Sequence, residues 1–183
     1  VVWAWWDNGY ALTYFARRAT INDGSIHSGE RTYFNALPLA FTDFRLSANF
    51  MQFYVARGTT GINQIHKATG MDKNASMEEI KKILAAGPDD ARAIIDELKL
   101  QASPICKTTD EWLLFFYPPE QRPVYLFLDL LLTRIAYWWY WFGTWDFDKK
   151  TGVHPYYQLF TGLEKQNDDI SGAKGLNINV LTG

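Results

Sequence analysis

The chain has 183 residues, 48% of them hydrophobic and 21% charged, with a net charge of −2. That length supports one domain with its own core, that composition excludes intrinsic disorder, and the absence of any dense Lys/Arg cluster removes the electrostatic case for nucleic acid. Aromatic residues reach 16%, with eight Trp, while the single cysteine, Cys106, forbids an intrachain disulfide.

In chain order, Val1–Trp5 reads as a short strand ending in a turn at Asp7-Asn8-Gly9, because Asn-Gly is a strong turn signal. Ala19–Asp23 reads as another short strand closed by Asp23-Gly24, and residues 25–41 as loop-rich. A helix is predicted from Thr42 or Asp43 to Arg57, with Leu46, Phe50, Phe53 and Tyr54 on one face and Gly58 as its stop. A short helix follows over Ile62–Ala68, ended by Gly70. Ser76-Met77-Glu78-Glu79 has the form of a capping box, placing Ile80, Ile83 and Leu84 on an apolar face that ends at Gly87. Pro88-Asp89-Asp90 restarts a helix carrying Ile94, Ile95 and Leu98.

Trp112–Tyr117 is a continuous apolar run before Pro118-Pro119 and reads as a buried central strand. A helix is then predicted from about Pro123 to Tyr140. The stretch Pro123–Gly143 is long enough to cross a membrane, but Asp129 and Arg134 in its middle favour a buried helix with an aromatic end. From Thr144 the chain is polar, Gly-rich and expected to be irregular, and residues 176–183 alternate as a strand does at its start. The fold expected is mixed α/β, helix-dominated with a small sheet, in one globular domain spanning 1–175, with 176–183 beginning a following segment. No targeting signal precedes Val1, and both ends read as cut from something longer.

Few residues carry chemistry. His27, His66 and His154 lack ligand spacing, and although His27 and Glu30 lie close in sequence, no metal is expected. Asp146-Phe147-Asp148 lacks the downstream oxygens of a calcium loop. Trp5-Trp6-Asp7 is different. Two indole N–H groups are pure donors and a carboxylate is a pure acceptor, so together they complement one hydroxyl, which both donates and accepts. A site of this kind rejects an analogue without the hydroxyl, because its own polar groups are left unpaired.

Trp5-Trp6-Asp7-Asn8-Gly9 resembles the WWDYG motif of the oligosaccharyltransferase catalytic-subunit family, to which bacterial PglB belongs. The continuation, Tyr10 to Gly29, is similar to the aromatic strand, Thr-rich strand and D-G-x-x-H-x-G turn of the bacterial members, the turn being Asp23-Gly24-Ser25-Ile26-His27-Ser28-Gly29. Leu132 to Trp139 (LTRIAYWW) resembles the family's second motif, M-x-x-I-x-x-x-(I/V/W), so that Leu132, Ile135 and Trp139 share a helix face. A second register places its apolar residues nearer Val124–Leu131. Two positions depart from the family: Asn8 stands for Tyr, and Leu132 for Met, a volume-conserving change.

The resemblance implies an acceptor-recognition domain of an enzyme that moves a lipid-linked glycan to the Asn of Asn-x-Ser/Thr. Trp5, Trp6 and Asp7 bind the Ser/Thr hydroxyl, Ile135 meets the threonine methyl, and Leu132 and Trp139 on the same helix face also bind substrate. The catalytic carboxylates and a divalent Mn or Mg are implied to lie in a membrane portion outside this chain, leaving no catalytic residue and no cofactor here. The partners implied are the acceptor protein and, through that portion, the lipid-linked oligosaccharide; the place implied is the extracytoplasmic (periplasmic) side of a multi-pass membrane protein. An aromatic-rich carbohydrate- or peptide-binding module is the alternative. Asp72-Lys73-Asn74-Ala75-Ser76 is itself a sequon with an acidic residue two before its Asn, as the bacterial members prefer; Asn74 is expected in an exposed loop and partly glycosylated.

Overall fold

The computed structural model describes residues 1–25, 29–100, 106–120, 122–153 and 162–172, and the backbone of 176–179. The chain divides into two compact units, Val1–Val153 and His154–Gly183. The architecture is helix-dominated α/β with small sheets.

The first unit opens with β1 (Val2–Trp3). The segment expected to be a second strand, Ala19–Asp23, contributes only one parallel bridge, Thr20 to Val2. Between them, the turn expected at Asp7-Asn8-Gly9 is instead the first turn of α1 (Trp6–Tyr14). The Asn-Gly signal loses to tertiary packing: Gly9 lies against the main chain of Asn22 and Asp23, and Asn8 is tied elsewhere in the fold.

Residues expected to be loop-rich form α2 (Gly29–Ala40), buried continuously from Thr32 to Pro38. A helix buried all round has no amphipathic period to read. Pro38 withholds one N–H from this helix, and its own carbonyl accepts from Ser47 Oγ at 2.8 Å.

α3 (Phe44–Thr69) starts as expected, with the Asp43 carboxylate accepting from the N–H groups of Arg45 and Leu46 at 2.8 and 3.2 Å. Gly58 breaks it at φ 60, ψ −164, a conformation that other residues adopt only at a cost. α4 (Lys73–Ala86) begins one turn earlier than the Ser76 box predicts, because Asp72 takes the cap and accepts from Ala75 N at 2.8 Å. Ser76 becomes a buried residue of the first turn. α5 (Pro88–Leu98) follows with Pro at its first position.

The apolar run at 112–117 belongs to a helix, α6 (Thr109–Phe116), and not to a strand. Thr108 and Glu111 form a full capping box ahead of it, and Trp112, Phe115 and Phe116 are buried at helical spacing while Leu114 faces out. A short continuous apolar run carries no period that separates strand from helix.

The single helix expected over 123–140 is three pieces. β2 (Tyr125–Leu126) pairs in parallel with β1, Val2 opposite Tyr125 and Trp3 opposite Leu126. α7 (Leu130–Arg134) is capped by Asp129, and α8 (Ala136–Gly143) starts after a break at Ile135. Among the described residues no helix is long and apolar enough to cross a membrane. The stretch after Thr144, expected to be irregular, pairs β3 (Trp145–Asp146) with β4 (Thr151–Gly152).

The main core gathers Trp3, Phe34, Leu37, Phe50, Phe53, Ile80, Ile83, Leu84 and Phe116, each contributing about 1.5–3 kcal/mol on burial. Trp3 Nε1 donates to the Asn35 carbonyl, and Asn35 Nδ2 donates to the Ala4 carbonyl, both at 3.0 Å. These two buried bonds fix the end of β1 on α2, and so fix where Trp5 begins.

The second unit is a three-stranded antiparallel sheet of β5 (Glu164–Gln166), β6 (Asp169–Gly172) and β7 (Leu176–Asn179). The alternating segment at its end therefore pairs as a strand.

Candidate functional site

Trp5 is the residue where the extended chain turns into α1, at φ −65, ψ 147. Its ring is 1% exposed and stacks on the half-buried Trp6, centroids 4.4 Å apart and planes 26° apart. Phe142 of α8 closes on both indoles, 6.3 Å from Trp5 and 5.7 Å from Trp6. α8 can come this close to α2 because Gly143 lies where any Cβ would meet Ala40 and the Ala36 carbonyl.

These contacts form a second, smaller apolar cluster: Trp5, Ala36 and Leu132 buried, with Trp6, Leu39, Ile135, Trp139 and Phe142 packed against them. All five apolar residues singled out from the two sequence motifs thus meet in one place. Leu132 and Trp139 do not share a continuous helix, as the spacing predicted. Ile135 sits at the break between α7 and α8, at φ −105, ψ 18. Trp139 Nε1 donates to the Leu132 carbonyl at 2.8 Å, bridging that break.

Asp7 lies in the first turn of α1, exposed, and its carboxylate takes no hydrogen bond from the described residues. A helix N-terminus is a favourable place for this charge. A carboxylate that takes no hydrogen bond from the described residues therefore directly follows a stacked indole pair.

Two residues beside the cluster escaped the sequence reading. Asn8, noted there only as a departure from the family motif, donates from Nδ2 to Asp129 Oδ2 at 2.9 Å across 121 residues of chain. Asp129, read as a charge within a helix, caps α7 by accepting from Leu132 N at 3.0 Å. This tether holds the second motif against the first. The only sequence signal was an Asp before three leucines, which is a helix-start pattern.

Beside the cluster lies a pocket of about 280 Å³, lined by Leu39, Leu128, Asp129, Leu132, Thr133 and Trp139. Three walls, Leu39, Leu132 and Trp139, are shared with the cluster.

Asn74 is placed otherwise than expected. It lies in α4, not in an exposed loop, and its amide clamps the turn after β3. Nδ2 donates to Asp146 Oδ1 and Asp148 Oδ2, each at 3.1 Å, and Oδ1 accepts from Phe147 N at 3.0 Å. The Asp146 carboxyl is held down at about 2, first by the backbone N–H of Lys149 and with help from Lys149 and Asn74 side chains. To serve as an acceptor, Asn74 must give up three hydrogen bonds and bring out Ser76, which is 1% exposed. That exceeds the cost of fraying one cap. The folded chain is expected to carry no glycan at Asn74; mass spectrometry of the peptide spanning it, from cells with an active pathway, checks this, and a glycosylated form would mean that the clamp opens.

Among the described residues no three His, Cys, Asp or Glu side chains converge as a metal-binding group. His27 and His154 lie outside the described residues, and Glu30 is ion-paired with Lys73.

The family description STT3/PglB/AglB core domain matches residues 1–149, which include both motifs. The chain is similar, at 26% identity over 147 residues, to a dolichyl-phosphooligosaccharide-protein glycotransferase of Methanocaldococcus jannaschii. That alignment covers 80% of this chain and 16% of the relative, so the chain spans about one-sixth of the relative's length. No solved structure matches. With two motifs that meet in space and a family match over 149 of its residues, the chain belongs to the STT3/PglB/AglB core-domain family.

Proposed function

We propose that this domain recognises the hydroxyl residue of an Asn-x-Ser/Thr acceptor for an oligosaccharyltransferase that transfers a lipid-linked glycan to the Asn. The observation that carries this reading is the single cluster joining Trp5 and Trp6 to Leu132, Ile135 and Trp139. Asp7 accepts a hydrogen bond from the Ser/Thr hydroxyl, and the indole N–H groups of Trp5 and Trp6 donate to the hydroxyl oxygen. Trp5 forms the floor, with Trp6 and Asp7 on the open side. Ile135 lies against the threonine methyl.

The nucleophile is the acceptor's own carboxamide nitrogen, and the glycan leaves its lipid phosphate. The groups that drive this step, including the carboxylates and their divalent ion, lie in the rest of the protein on the extracytoplasmic side of the membrane. The domain's share is positioning: it holds the acceptor loop so that the Asn reaches that chemistry.

The test uses the full-length enzyme with paired peptides, Asn-x-Thr and Asn-x-Ala. A complemented hydroxyl gives discrimination on the order of 10⁴ in kcat/KM. Equal rates for the two peptides would sink the reading.

A smaller effect is expected at Ile135. Contact with one methyl is worth about 1 kcal/mol. Ile135→Ala is therefore expected to lower the Thr-over-Ser ratio of kcat/KM by about fivefold while activity persists. An unchanged ratio assigns Ile135 to packing alone.

A further inference from the structure

The pocket beside the cluster is apolar on nearly all sides, with Asp129 as its one charged wall. Both oxygens of that carboxylate are engaged, one by Asn8 Nδ2 and one by Leu132 N. It is thus held in place, and its charge disfavours an acidic guest. At about 280 Å³ the pocket falls just below the range of drug-sized ligand sites and suits a single large side chain. Its mouth includes Leu128, 63% exposed, and Thr133 on the outer face of α7.

We infer that this pocket receives an apolar side chain of the acceptor that flanks the hydroxyl residue. The inference rests on the proposed hydroxyl site, and the link is physical: Leu132 and Trp139 are walls of both. An extended peptide advances about 3.3 Å per residue, so a side chain able to enter an adjoining pocket belongs to a residue within about two positions of the Ser/Thr. The acceptor Asn is committed to the reacting centre. This leaves the residue between Asn and Thr and the two residues after Thr.

The pocket acts on binding and not on the reacting bond, so it stabilises bound peptide and transition state alike. Its mark is a lower KM with kcat little changed.

The experiment measures kcat/KM of the full-length enzyme on Asn-x-Thr peptides with Ala, Leu, Phe or Glu at each of the three positions. One position is expected to favour Leu or Phe over Ala by about tenfold, mainly in KM, with Glu below Ala. Leu128→Glu adds a carboxylate at the mouth, and Thr133→Trp narrows it; both sites are exposed and tolerate change. In both variants the Leu/Ala ratio at that position is expected to fall towards one. The inference is overturned if no position prefers an apolar residue, or if the preference survives both substitutions. It is also overturned if both variants lower all peptides equally, since the pocket then has another occupant. The hydroxyl reading fails separately, by loss of Thr-over-Ala discrimination at the hydroxyl position of the wild-type enzyme.

Discussion

Asp7→Ala in the full-length enzyme is expected to cut kcat/KM for an Asn-x-Thr peptide by tenfold or more while leaving the fold intact. A hydrogen bond to a charged partner is worth about 1.5–3 kcal/mol, and about 1.4 kcal/mol is a factor of ten. Asp7 is exposed and takes no hydrogen bond from the described residues, so its removal leaves no buried group unpaired. The remaining loss is its favourable place at the start of α1, about 0.3–1 kcal/mol, or a melting shift of a few degrees at most. Asp7→Asn keeps an acceptor oxygen without the charge and is expected to fall between the two. Wild-type turnover by Asp7→Ala would remove the assignment of Trp5, Trp6 and Asp7 together. A large drop in melting temperature would recast Asp7 as structural.

What was legible in the sequence follows how locally each element is determined. Asp43, Gly58, Pro88 and Gly87 act on residues within one turn of themselves, and the helices they bound run where the sequence reading places them, apart from the merging of two helices across Gly58. α2 and α6 were not legible as helices, since burial of Thr32 through Pro38 and the run at 112–116 erase the 3.6-residue period. At α4 two cap signals compete, Asp72 and Ser76, and both fit local rules. The earlier one wins in a fold where the extra turn delivers Asn74 to residues 146–148, more than seventy positions away. The candidate site divides in the same way. Trp5, Trp6 and Asp7 were readable as two donors and an acceptor, because that complementarity needs only three consecutive residues. The Asn8–Asp129 tether joins residues 121 positions apart, beside the pairing of β1 with β2, which no local rule supplies.

The tether also joins the segments that carry the two motifs. α1 and α7 leave the same end of a parallel strand pair, and Asn8 Nδ2 to Asp129 Oδ2 joins them directly after it. Stacked Trp5 and Trp6 then share one apolar cluster with Leu132. A loss at Asn8 therefore reaches Leu132 through the cap of α7.

Gly9→Ala tests that architecture at its tightest point, and it sets two effects against each other. In a helix interior Ala is favoured over Gly by about 1 kcal/mol, so propensity alone predicts a more stable chain. Packing predicts the opposite. A Cβ at position 9 would lie 2.0 Å from the Asn22 carbonyl oxygen and 2.7 Å from the Asp23 Cα. Both are main-chain atoms, so no rotamer change relieves the contact. Nor is that segment free to slide: Asn22 is buried and its Oδ1 accepts from Gly24 N at 3.1 Å, while Asp23 Oδ1 accepts from the N–H and hydroxyl of Ser25 at 3.0 and 2.7 Å. Overpacking costs about 1–3 kcal/mol and more against main chain, which outweighs the gain. The expected result is a melting temperature lower by several degrees and kcat/KM reduced by about tenfold or more, since α1 can retreat only by moving Trp6, Asp7 and Asn8 with it. Gly29→Ala is the control, because a Cβ there meets nothing within 4 Å, and it is expected to leave both quantities unchanged. If Gly9→Ala instead melts at or above the wild-type temperature and turns over normally, α1 does not rest on the 22–25 turn, and the glycine of the first motif needs a different reason.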